Sequence, residues 1–219
     1  MDANFIDVDN NTGNDSSDIM KSFMERSDIA SSEYILGWSP LHHACLYGDL
    51  DVVKTLLDNN PNMECRDYNK QTCLHIACTY NFTEVVKLLI NKCNDIDCKD
   101  IFGWSSLHIA CYNSNYDLVK MLINAGANVN EKNNRGDTCL HVICYNDNAS
   151  IGLVSLLLEN GANINTKNSH GESPYDIAKH YNSNLASFLK KDNNKRLYMS
   201  SLLIQNDVFC YYIVKKYHS

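Results

Sequence analysis

No stretch of the 219 residues approaches the roughly 18 apolar positions that a membrane-spanning helix needs. The most apolar run, 208–214, is seven residues long. A secretory leader is also missing: residues 1–18 are acidic and polar where a leader has a basic start and an apolar run. The expectation is a chain kept inside a cell, cytoplasmic or nuclear and not secreted, with no membrane partner. Basic charge is scarce too. Lys and Arg total 19 against 26 Asp and Glu, a net charge of −7. Phosphate backbones are held by clustered cations, so nucleic acid is not an expected partner. The six bases and two acids of residues 190–219 are too few to reverse that, and residues 1–33 hold eight acids against two bases. Only nine glycines and three prolines occur. They form neither a glycine-rich phosphate loop nor a Gly-x-Ser-x-Gly elbow, which argues against nucleotide hydrolysis and serine-hydrolase chemistry.

What the sequence does contain is self-similarity. Gly37-Trp-Ser-Pro-Leu-His-His-Ala44 recurs as Lys70-Gln-Thr-Cys-Leu-His-Ile-Ala77 and as Gly103-Trp-Ser-Ser-Leu-His-Ile-Ala110. Gly136-Asp-Thr-Cys-Leu-His-Val-Ile143 follows, then a degenerate copy, Gly171-Glu-Ser-Pro-Tyr-Asp-Ile-Ala178. His42, His75, His108 and His141 lie 33 residues apart. Paired aliphatics follow at helical spacing: Val52-Val53 with Leu56-Leu57, Val85-Val86 with Leu89-Ile90, Leu118-Val119 with Leu122-Ile123, Leu153-Val154 with Leu157-Leu158. A fixed period of this length marks a stacked array, because one unit cannot cover its own apolar stripe.

The local chemistry fits two helices per unit. Ser39, Thr72, Ser105, Thr138 and Ser173 stand where an N-cap belongs, and Pro40 and Pro174 where a helix tolerates a missing N–H. Gly48, Asn81 and Ser114 fall between the paired helices, where a left-handed residue is wanted. Lys70 replaces the turn glycine, so the second finger is expected to be distorted. The fourth unit is two residues longer, with the excess near Asn146–Ser150.

These motifs resemble the ankyrin repeat, with its Thr-Pro-Leu-His-x-Ala start, over roughly residues 34–190. The resemblance implies an all-α solenoid of about five repeats, helix-turn-helix units carrying β-hairpin fingers. The expected organisation is a disordered acidic tail over 1–18, a capping segment over 19–36, repeats over 37–190 and a helical cap or tail over 191–219. A docking peptide is the alternative at either end. The signature starts are 37, 70, 103, 136 and 171.

Two constellations invite a chemical reading. Cys73-x-His75-x-x-Cys78 and Cys139-x-His141-x-x-Cys144 have ligand types suited to zinc. The repeat accounts for the same residues without a metal: the His sits beside the N-cap, and Cys45, Cys78, Cys111 and Cys144 recur at a small buried site. Equivalent positions of stacked helices are about 8–10 Å apart, beyond the roughly 7 Å Cα separation of a disulfide, so reduced thiols are expected. No cofactor, metal or catalytic residue is assigned, and the chain is expected not to be an enzyme.

The resemblance also implies a protein partner, bound by the concave side through finger tips and the exposed face of the first helices. Carried onto this sequence, the partner-binding positions are Ile35, Leu36, Trp38, Leu46 and Tyr47 in the first repeat and Tyr68, Gln71 and Tyr80 in the second. Ile101, Phe102, Trp104 and Tyr112 follow in the third, and Arg135 and Tyr145 in the fourth. Exposed aromatics of this kind are typical of binding hot spots. A monomeric scaffold or adaptor is expected. Its compactness and AT-rich codon bias, with arginine only at Arg26, Arg66, Arg135 and Arg196, resemble the short viral ankyrin proteins such as those of poxviruses. That likeness implies a host-range factor or a modulator of the NF-kappaB pathway, acting on a host signalling protein. The alternative is a substrate receptor of a ubiquitin ligase, weakened because no proline follows Pro174. A metal- or redox-responsive protein is the remote alternative.

Overall fold

The computed structural model describes residues 37–59 and 61–192. The tails expected over 1–18 and 19–36, most of the segment over 191–219, and the predicted contact residues Ile35 and Leu36 lie outside the described residues. Within them, nine helices are fully delimited and a tenth covers 183–192. They alternate between short inner helices and outer helices. The inner set is α1 (Pro40–Tyr47), α3 (Cys73–Thr79), α5 (Ser106–Tyr112), α7 (Cys139–Cys144) and α9 (Pro174–Tyr181). The outer set is α2 (Leu50–Asp58), α4 (Thr83–Ile90), α6 (Tyr116–Asn124), α8 (Ile151–Glu159) and α10 (183–192). Each of the first four inner helices packs on its own outer partner and on the next inner helix.

This order follows from the repeated pattern. The paired aliphatics of the outer helices, such as Val52, Val53, Leu56 and Leu57, are buried as one stripe. A fully buried aliphatic side chain contributes about 1.5–3 kcal/mol, so a unit without neighbours loses most of its stabilisation. The first four inner helices are buried over most of their length; in α3 every residue from Cys73 to Cys78 is buried. Leu185 and Leu189 of α10 are fully buried, so the fifth unit does complete its second helix. The two extra residues of the fourth unit are absorbed in the turn before α8, where Asn146 accepts the Ala149 and Asn148 amides.

The fingers differ from the expectation in one respect and match it in another. Among the described residues no strand forms. Each finger is a tight turn closed by a backbone hydrogen bond, Asp67 N–H to Gln71 O in the second and Asp100 N–H to Trp104 O in the third. Neighbouring fingers share a single backbone bond, Ile101 N–H to Asn69 O, Asn134 N–H to Phe102 O and Ser169 N–H to Arg135 O. One bond per interface is too little for a ladder. The second finger, by contrast, is not distorted. Lys70 takes φ +59°, close to the glycines of the other fingers, and its N–H bonds Asp67 O as Gly103 N–H bonds Asp100 O. The repeat geometry outweighs the cost of a left-handed lysine, about 1–2 kcal/mol.

Candidate functional site

The signature histidines have a structural task that occupies both ring nitrogens. His42 Nδ1 accepts the Ser39 N–H at 3.1 Å, and His75, His108 and His141 accept from Thr72, Ser105 and Thr138 in the same way. Nδ1 is therefore unprotonated, and Nε2–H is left to donate. It does so across the repeat boundary: His42 to Gln71 O, His75 to Trp104 O, His108 to Asp137 O and His141 to Glu172 O, at 3.1–3.2 Å. Each histidine caps its own helix and pins the next finger. Asp176 does the capping half alone in the fifth unit, where its Oδ2 accepts the Ser173 N–H and hydroxyl. Burial lowers the pKa of His75, His108 and His141, with His108 brought to about 4, so all three are neutral at pH 7.

The cysteines are equally committed. Cys45, Cys78, Cys111 and Cys144 are fully buried, and burial pushes Cys78 and Cys144 up to about 12. Thiols held there supply almost no thiolate near neutrality and are poor nucleophiles. The nine described cysteines are free thiols. Two pairs lie outside the equivalent-position distance argument: Cys73 neighbours Cys45, and Cys139 neighbours Cys111, across the repeat boundary.

Two further sets of bonds recur from unit to unit and were not read from the sequence, one within each finger and one between units. The first residue of each finger, Asp67, Asp100, Asn133 or Asn168, accepts backbone amides of its own turn through its side chain. Arg66, Lys99 and Lys132 each donate to the carbonyl of the next basic residue in the column, Lys99, Lys132 and Lys167 respectively. Both columns were visible as periodic positions; their polar residue types gave no hint of these bonds.

With these groups used in the scaffold, the side chains that face outward from the fingers and inner helices define the candidate site. Phe102 is 64% exposed, Tyr112 62% and Tyr80 51%. Tyr47, Tyr68 and Ile101 are exposed as well. The Tyr68 ring lies over Gly37 of the preceding finger, so part of its role is structural. Both tryptophans, read as exposed from the sequence, are half-buried. Trp38 donates Nε1–H to Asp67 at 3.0 Å and meets the His43 ring edge-on, and Trp104 packs edge-on against Tyr112 at 5.7 Å. Leu46 and Gln71 are half-buried too, Leu46 against the core.

The structure brings some of the predicted positions into contact within a repeat. Trp104 and Tyr112 join the third finger to α5, and Arg135 stands 5.8 Å from the ring centre of Tyr145, joining the fourth finger to α7. Tyr145 in turn meets Tyr181 at 5.5 Å. Tyr181, 55% exposed, was missed in the sequence, although it lies three residues past Ala178 as Tyr80 lies three past Ala77. Among the described residues, no helix is long and apolar enough to cross a membrane.

A family profile described as Ankyrin repeats (3 copies) matches residues 10–100, 41–133 and 107–198. No curated protein matches the chain.

Proposed function

The chain belongs to the ankyrin-repeat family, and on that premise we propose that it is a monomeric, non-catalytic adaptor that holds a partner protein on its inner, concave face. The carrying observation is the aromatic strip. Phe102, Tyr112 and Tyr80, with Tyr68 and Tyr181, are more than half exposed in the fingers and inner-helix ends, and among the described residues the other large apolar groups are mostly packed, Tyr116 and Ile151 of the outer helices excepted. Water-exposed aromatics concentrated on one face favour an interaction surface. The resemblance to short viral ankyrin proteins favours a modulator of a host signalling pathway as the form such an adaptor takes.

Exposure decides which variants test this. Removing Trp38 or Trp104 would disturb the fingers, since both pack against the scaffold. Tyr80, Phe102 and Tyr112 project further, so a Tyr80→Ala/Phe102→Ala/Tyr112→Ala protein should keep its helical circular dichroism. In affinity capture from cell lysate it should lose specific partners that the wild type retains, by about tenfold or more. Retention of the same partners at wild-type levels would remove the inner face from consideration.

A further inference from the structure

The fully exposed charges of the inner face have one sign. Lys70 at the second fingertip, Arg135 at the fourth and Lys179 near the end of α9 are exposed. The carboxylates on that side are turned into the scaffold. Asp67 is buried and accepts the Gln71 amide and Trp38 Nε1–H. Asp100 accepts the Phe102 and Trp104 amides. Asp137 is buried, lies 3.7 Å from Arg135 and accepts Asn168 Nδ2–H; Glu172 accepts from the same Asn168 amide. Exposed carboxylates stand instead on the outer layer, Asp51, Asp58, Glu84, Asp117 and Glu159, and in the turn before α8, Asp147; on the outer helices they are mixed with exposed Lys54, Lys87, Lys120 and Lys190. Among the described residues, the fingers and inner helices of this acidic chain therefore show exposed cations and no exposed carboxylate, with Arg135 5.8 Å from the Tyr145 ring centre and Lys179 5.8 Å from that of Tyr175.

Resting on the inner-face reading, we infer that the strip takes an extended polypeptide segment in which acidic side chains flank bulky apolar ones. Apolar side chains of that segment bury against Phe102, Tyr80 and Tyr112. Its carboxylates meet Lys70, Arg135 and Lys179, and Arg135, held over Tyr145, is directed by that contact. With exposed cations and no exposed carboxylate on the described fingers and inner helices, that side selects an acidic segment over a basic one. Charges further apart than about 8 Å are screened at physiological salt, so the attraction acts locally along the strip.

The probe is a phage-displayed library of random peptides, selected on the purified full chain at low ionic strength. Enriched peptides are then labelled and titrated by fluorescence anisotropy. The titration uses wild type, a Lys70→Glu/Arg135→Glu/Lys179→Glu protein and the Tyr80/Phe102/Tyr112 alanine protein, each checked for fold by circular dichroism. The expected result is enrichment of Asp and Glu next to Trp, Phe, Leu or Ile, with affinity lowered about tenfold or more by charge reversal and by added salt. Selected peptides without acidic enrichment, binding within about twofold after charge reversal, or no binders at all would overturn the inference. So would displacement of the peptide by an equal concentration of single-stranded oligonucleotide, which assigns the cations to phosphate. Loss of binding in the alanine protein but not in the charge-reversed one leaves the inner face standing and removes the acidic partner. No loss in either removes both.

Discussion

Between pH 6.5 and pH 4 the folded protein is expected to lose about 3 kcal/mol of stability through His108 alone. Burial brings this histidine from its ordinary 6.5 to about 4. Above pH 6.5 it is neutral in both folded and unfolded chains, and its contribution is fully present. As the pH falls through 6.5, the unfolded chain takes up a proton that the folded chain refuses, so unfolding gains. Below about 4 both forms are protonated and the loss stops growing. A shift of this size, at 1.36 kcal/mol per pKa unit, gives the roughly 3 kcal/mol. The structural reason is specific: a proton on Nδ1 would set two donors face to face, the ring N–H and the Ser105 amide. His75 and His141, also lowered by burial, add to the loss. In His42 burial is again the largest influence and lowers the pKa, but the Cys73 side chain, the Gln71 carbonyl and Asp67 together outweigh it, and the net rise offsets part of the effect. Urea midpoints at pH 7, 5.5 and 4.5, followed by circular dichroism, measure the slope. A His108→Gln protein should keep its cap, because glutamine at the third helical position can accept the N-cap amide and still donate. Its stability should depend on pH much less. An equal slope in both proteins would assign the acid loss to other groups.

The second large effect concerns the seam between fingers. A Cβ added to Gly103 falls 2.6 Å from the Asn134 backbone nitrogen, and Gly103 has φ +77°. Alanine there must bear the left-handed backbone, about 1–2 kcal/mol, and push the third and fourth fingers apart. That separation strains two hydrogen bonds, Asn134 N–H to Phe102 O and Asn134 Nδ2–H to Ile101 O, each worth about 1 kcal/mol. A total near 3 kcal/mol is expected. Gly126, at φ +96°, provides the control: an added Cβ there meets nothing within 4 Å. Gly126→Ala should therefore cost only about 1 kcal/mol, the backbone part. Denaturant titration of the two variants separates crowding from backbone strain, and equal losses would contradict the finger packing.

The histidine relay shows both how far the sequence could be read and where reading stopped. The 33-residue period, the N-cap hydroxyls and the aliphatic pairs are local features, and local rules were enough to place ten helices in alternating inner and outer layers. The cap half of each histidine was legible for the same reason. Its other half, Nε2–H to the next finger, depends on where the neighbouring unit sits, which only the stacked structure supplies. Lys70 misled because glycine preference is a tendency, and a finger held by Asp67 and by the Ile101–Asn69 bond can impose the conformation on a lysine. The tryptophans misled for a related reason. Their column faces the inner side, but Trp38 finds Asp67 and Trp104 finds Tyr112, and both are drawn partly in. Exposure is set by such neighbours more than by register.

The inner face itself is tested most directly by placing a photo-reactive benzoylphenylalanine at single positions and irradiating the protein in cell lysate. Position 112 lies on the strip at the end of α5, and position 84 lies exposed on outer helix α4. Cross-linked partner should form from position 112 and be absent or minor from position 84. Adducts that form equally from both sites, or only from position 84, would contradict recognition through the fingers and inner helices.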